Sequence, residues 1–268
     1  MRAALVATGF LTALISGAHA ATVITSTQNF DGKPETQTMS LDGDRLSIMS
    51  AENHMLYRGD QGKVFIIQPK AHSYVEMSPE SMAKVKSRMD EAMAQMKQRM
   101  AAMPEAQRQQ MEKAMAGRMP GMGSAAPEAA PVLSFQKNGA PRKVGKWDCQ
   151  PYTLISDGKP EADLCVARLS DLGLTRDDLK PLIGLSDFMG KQMAAMGNQQ
   201  AASMASMKFD ALTKAVGYDA FPIENDYKGM GDGEGLKTTV QSIEHKDLPA
   251  GSFDVPAGYT KRDMGGPR

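Results

Sequence analysis

Two cysteines, a long series of methionines and four histidines, three of them scattered past Ala20, are the residues whose types could do chemistry. Cys149 and Cys165 are the only cysteines in 268 residues. A redox-active pair usually sits close together, as in C-x-x-C, and these two do not. Turning the chain about Asp157 places them opposite each other on the two strands of a hairpin, where disulfide geometry is within reach. The expectation is a structural bond closing a loop of about 16 residues, stabilising by near 3 kcal/mol.

The methionines carry a periodicity. Met82, Val85, Met89, Met93, Met96, Met100 and Met103 fall three and four residues apart, which puts all seven on one stripe of a helix. Shorter stripes follow at Met111, Met115 and Met119, at Met189, Met193 and Met196, and at Met204 and Met207. Three chemistries suit such a pattern. The stripe can pack as core, with unbranched thioethers filling gaps. It can form an adaptable apolar surface for a lipid, an acylated protein or another hydrophobic segment. Clustered thioethers also suit Cu(I). The pattern follows helical burial, and no histidine joins it, so the first two readings lead.

Past Ala20 the histidines are His54, His72 and His245, far apart and in no metal-binding or catalytic spacing. H-E-x-x-H, G-x-S-x-G and a phosphate-cradling glycine loop are all missing. Gly229 to Gly235 is glycine-rich but precedes a strand, so it reads as a hairpin connection. Arg58-Gly59-Asp60 reads as a tight turn. The expectation is a non-enzymatic protein with no catalytic residues, no metal site and no cofactor.

The elements that would position these residues are legible in outline. From Thr22 to Met77, short alternating runs are separated by turn residues at Asp31–Pro34, Asp42–Asp44, Arg58–Gly62 and Gln68–Lys70, which predicts an antiparallel meander. Ser78-Pro79 predicts a helix start, a capping serine followed by proline at the first helical position. That helix should run to about Met103, where Pro104 interrupts it. It would be roughly 37 Å long at 1.5 Å per residue. Six strands span only about 25–30 Å, so the helix could cross a whole sheet. Strands return at 132–135, 143–144, 152–155, 164–167 and 237–243, with Leu248 to Tyr259 read as further strand. Helical patterns occupy Asp177 to about Met196 and Ala201 to Val216. This order of segregated strands and helices predicts an α+β fold. The expected organisation is one domain over 21–268, with helical insertions at about 79–119 and 177–216 and an Ala/Pro/Gly linker at 120–131.

The N-terminus sets an expected compartment. Arg2 precedes an apolar run from Ala3 to Ile15, too short for the about 20 residues a bilayer demands. The run ends at Ala18-His19-Ala20, a small-x-small site of the signal-peptidase type. Residues 1–20 are therefore expected to be a signal peptide cut after Ala20, releasing a periplasmic protein that is not integral to the membrane. A formal net charge of zero argues against nucleic-acid partners, which require a basic excess.

Several short signatures carry a resemblance: Tyr57-Arg58-Gly59-Asp60, Val64-Phe65-Ile66-Ile67-Gln68-Pro69 with Tyr74, Gly145 to Tyr152, Cys165-Val166-Ala167, and Phe253 to Tyr259. Together they resemble an uncharacterised domain-of-unknown-function family of secreted bacterial proteins. That family is similar in turn to the outer-membrane lipoprotein carriers LolA and LolB. The resemblance implies an antiparallel open half-barrel with helices on or across its concave face. On that footing the Met82–Met103 helix becomes a lid or plug over an apolar ligand. The expected function is binding of a lipid, acyl chain or hydrophobic partner segment. The alternatives are an interaction module without a small ligand, and a Cu(I) binder.

Overall fold

Turn chemistry fixes where the chain folds back. At Asp157-Gly158 both residues take positive φ, 47° and 78°, the geometry of a tight hairpin that matches strand twist. The computed structural model describes residues 20–30, 32–105, 107, 132–196, 209–228 and 235–264. The expected signal peptide, the 120–131 linker, the Met111–Met119 and Met204–Met207 stripes, and nearly all of the glycine-rich stretch lie outside them.

The first six strands neighbour one another in space as in sequence. They are β1 (Ala21–Phe30), β2 (Lys33–Asp42), β3 (Arg45–Met49), β4 (His54–Arg58), β5 (Lys63–Gln68) and β6 (Ser73–Met77). A second series comprises β7 (Leu133–Lys137), β8 (Arg142–Val144), β9 (Trp147–Ser156), β10 (Lys159–Arg168), β11 (Ala220–Tyr227) and β12 (Leu236–Lys246). The two series join where β1 pairs antiparallel with β12, giving the order β6-β5-β4-β3-β2-β1-β12-β11-β10-β9-β7, with β8 paired to β9. A short β13 (Thr260–Arg262) adds to the outer edge of β6 as the one parallel pair among the described strands. The ends of this 13-stranded sheet, β13 and β7, do not pair with each other among the described residues. The sheet is large and open.

Among the described residues three α-helices accompany it: α1 (Pro79–Ala101), α2 (Lys180–Ala195) and α3 (Phe209–Val216). The expected start of α1 is present in full. Ser78 Oγ accepts from the Ser81 N–H at 3.2 Å, and the Ser78 N–H donates to Ser81 Oγ at 2.8 Å, a reciprocal capping box. Helices α2 and α3 lie between β10 and β11 in the chain and cover opposite faces. On one face, Leu185 and Phe188 of α2 pack with Ile24, Leu41, Leu46, Tyr57 and Val64 in the main core. On the other, Leu212 and Val216 of α3 pack with Leu154, Leu164 and Val166.

Two expectations change. Leu248 to Tyr259 is not strand: Pro249, Gly251, Pro256 and Gly258 withdraw ladder donors or take positive φ, and the segment instead forms a strap. It leaves β12 and reaches the far edge of the sheet at β13, crossing β1–β5 on the face opposite α2. Conversely β11, which contains Pro222, and β4 are strands that the sequence reading did not separate out.

The strap is fixed at two points. Arg58, only 16% exposed in its side chain, donates Nε and Nη2 to Asp60 and Nη1 to Asp254. The Arg58-Gly59-Asp60 turn is thus tied within its own chain. At the far end, Glu76 on β6 accepts from Lys261 Nζ on β13 at 2.8 Å and lies 3.3 Å from Lys63 Nζ. The Lys261 hydrogen bond, aided by Lys63 and against some burial, holds the Glu76 carboxyl below its ordinary 4.5. A depressed folded pKa means this stabilisation is complete above the unfolded value and disappears as pH falls through the folded one. Glu76→Gln should therefore cost about 1–2 kcal/mol near neutrality, with the gap from wild type closing below about pH 4. Urea denaturation of both proteins between pH 6 and 3 checks it; a gap that persists in acid counts against the linkage.

Candidate functional site

The disulfide is formed, with a Cα–Cα separation of 5.4 Å between Cys149 and Cys165. Its placement differs from the simple hairpin expectation. Asp157-Gly158 closes the turn with Ser156 facing Lys159, but a bulge between Pro160 and Ala162 shifts the register, so that Cys165 faces Pro151. The bond is therefore diagonal, reaching two residues past the direct partner. Both sulfurs are core groups, Cys149 at 4% and Cys165 at 0% exposure. Disulfides persist in oxidising compartments, which fits an exported protein. Among the described residues no helix is long and apolar enough to cross a membrane.

The methionine stripe divides. Met82, at 5% exposure, is the only buried residue of α1, and the helix meets the sheet mainly at β6. Val85, Met93, Met96, Met100 and Met103 are half-buried, and Met89 is 44% exposed. The structure brings Met82 into the protein proper and leaves the other six outside its core. Lys84, Lys86, Arg88, Lys97 and Arg99 are exposed around them. The helices lying on the sheet faces are α2, with Met189 partly buried against the core, and α3.

A second feature was not visible in the sequence. Between the strap and strands β1–β4, on the face opposite α2, lies a cleft of about 540 Å³. Val23, Met49, Leu248, Val255, Pro256 and Ala257 supply apolar wall. Ser47 Oγ and His54 Nε2 lie 3.0 Å apart on it, and burial alone pushes the His54 imidazole down from its usual value. The histidine is thus neutral near pH 7. Ser47 and His54 sit seven residues apart with no motif between them. The available signal was strand periodicity: once residues 50–53 are taken as a hairpin connection, positions 47, 49, 54 and 56 share one face.

Residues 59–259 match the model of a domain of unknown function, DUF4412. The chain belongs to that family. No curated protein sequence matches this DUF4412 protein. Among solved structures it is similar to an uncharacterized conserved protein from Thermus thermophilus, at 6% identity and a TM-score of 0.42, over 91% of this chain and 90% of that one. It is also similar to PNGF-II, at 9% identity and a TM-score of 0.35, over 91% of this chain and 31% of that one. At these scores neither likeness carries an argument, and the likeness to the lipoprotein carriers rests on the sequence signatures alone.

Proposed function

We propose that this DUF4412 protein is a non-enzymatic periplasmic accessory that takes up a lipid acyl chain against the methionine stripe of α1, on a sheet curved into a half-barrel. One observation supports this most: a well-capped helix of 23 residues, which ends at Ala101 and so leaves Met103 beyond it, puts one of its six stripe residues into the core and leaves Met89 44% exposed. Core packing alone does not call for that arrangement. Thioethers are flexible and polarizable, so they follow an irregular chain better than branched side chains do. Each Å² of apolar surface removed from water contributes about 25 cal/mol. The cations beside the stripe suit an anionic headgroup.

Native mass spectrometry of protein purified from the envelope without detergent tests this. The expected result is a lipid-mass adduct on wild type. In the Met89→Glu/Met93→Glu/Met96→Glu variant, adduct occupancy should fall by about tenfold or more, since charge on the stripe opposes desolvation. A clean apo mass for wild type, or equal occupancy in both, sinks the proposal. A hydrophobic protein segment as guest would then be the reading to pursue.

A further inference from the structure

The cleft beneath the strap has a chemistry of its own. Its polar lining is rich in groups that can donate: Thr38, Ser40, Ser47, His54 and Lys246, while the Ser252 hydroxyl already donates to Pro249 O. Its one carboxylate, Asp254, is already held by Arg58. The Ser47–His54 pair keeps a hydrogen to give in either tautomer. If Ser47 donates to Nε2, the imidazole carries N–H at Nδ1. If Nε2–H donates to Ser47, the hydroxyl hydrogen is free. Among the described residues Lys246 pairs with Glu244, at 3.2 Å, and both side chains are about half exposed. Such a surface pair contributes little and can open toward an incoming anion.

The rest of the lining is aliphatic, and the volume lies within the roughly 300–1,000 Å³ of small-molecule sites. Met49, 50% exposed, gives the cleft an apolar side chain still in contact with water. Donors and aliphatic side chains alternate along this wall, Met49 beside His54 and Val23 beside Ser40, a lining that suits a short amphiphile with an acceptor head.

We propose that this cleft binds a small aliphatic carboxylate, its tail against Val23, Met49, Leu248 and Val255 and its head received by Ser47–His54, with Lys246 the cation on the β12 side of the same cleft. This goes beyond the acyl-chain reading of α1, because it uses different residues and a soluble ligand. No bond is made or broken.

Isothermal titration of the full mature chain with octanoate tests it. One octanoate should bind per chain with a dissociation constant below about a millimolar. Octanol, with the same tail and no anion, should bind about tenfold more weakly or worse. Ser47→Ala should weaken octanoate by about fivefold, as expected for losing one charge-assisted hydrogen bond. Met49→Glu, at an exposed position where folding is not at risk, should weaken it by about tenfold by placing like charge at the cleft. The triple glutamate variant of α1 should bind octanoate as wild type does, which separates the two sites. Absence of binding by folded wild type overturns the proposal. Equal affinity for octanol overturns the role of the head, and undiminished binding by Met49→Glu overturns the location.

Discussion

Replacing both cysteines, Cys149→Ala/Cys165→Ala, is expected to lower stability by about 3 kcal/mol, the loop-entropy value for a bridge of this span. The closed loop has a sequence separation of 16. It contains the whole β9–β10 turn, so the bond limits a part of the unfolded chain that otherwise explores many hairpin registers. Alanine is preferred to serine because the two positions are 4% and 0% exposed, and a serine hydroxyl there would lack water. For a domain of this size the loss corresponds to a melting shift of about 6–12 °C. Dithiothreitol should move wild type by a similar amount and leave the double variant where it is. A double variant within about 0.5 kcal/mol of wild type would show that the bulged hairpin holds its register without the bond.

That hairpin also shows what the sequence made legible. Asp-Gly is a strong local turn signal, so the fold-back and the pairing of the cysteines could be read. The diagonal placement could not, because the Pro160/Ala162 bulge answers to strand twist and to packing on both sides of β10. The same boundary between local and distant information runs through the rest of the molecule. The meander β1–β6 and the capped start of α1 follow from alternation, glycine turns and one serine. The β1–β12 joint does not, since Ile24 meets Ile243 across almost the entire chain. Pro222 and the acidic residues of β11 mask its strand pattern, and the strap reads as strand because Val255 and Phe253 look like strand residues when their contacts are unknown. The cleft lay beyond reach for the same reason. Ser47 and His54 are near neighbours in sequence, but the wall that makes them a site arrives with Leu248 and Val255. The methionine stripe was fully visible as a pattern, yet periodicity alone could not say that Met82 would be core and Met89 exposed.

The helix that does cover the sheet yields the other large effect: Phe188→Ala is expected to cost about 3–5 kcal/mol, the usual loss when a buried phenylalanine is cut back. Phe188 is 9% exposed within the main core, and its ring lies 6.1 Å from that of Tyr57, tilted by 49°. Such a pair contributes about 0.5–1.5 kcal/mol beyond the area it buries. The contact depends on the close approach of α2 to β4, and Gly184 permits it. A Cβ there would lie 2.9 Å from Tyr57 Oη and 3.2 Å from its Cε1. Alanine favours a helix over glycine by about 1 kcal/mol, so on propensity alone Gly184→Ala should stabilise. The expected result is the reverse, a net loss of about 1–2 kcal/mol from overpacking. Tyr57 cannot easily give way, because it is 8% exposed and packs in the main core. Removing that hydroxyl in Gly184→Ala/Tyr57→Phe should recover part of the loss, a favourable coupling measurable in a double-mutant cycle by urea denaturation. Additive behaviour of the two changes would mean that α2 does not seat on Tyr57. In that case the sheet face would lack the cover that separates this fold from an empty open sheet.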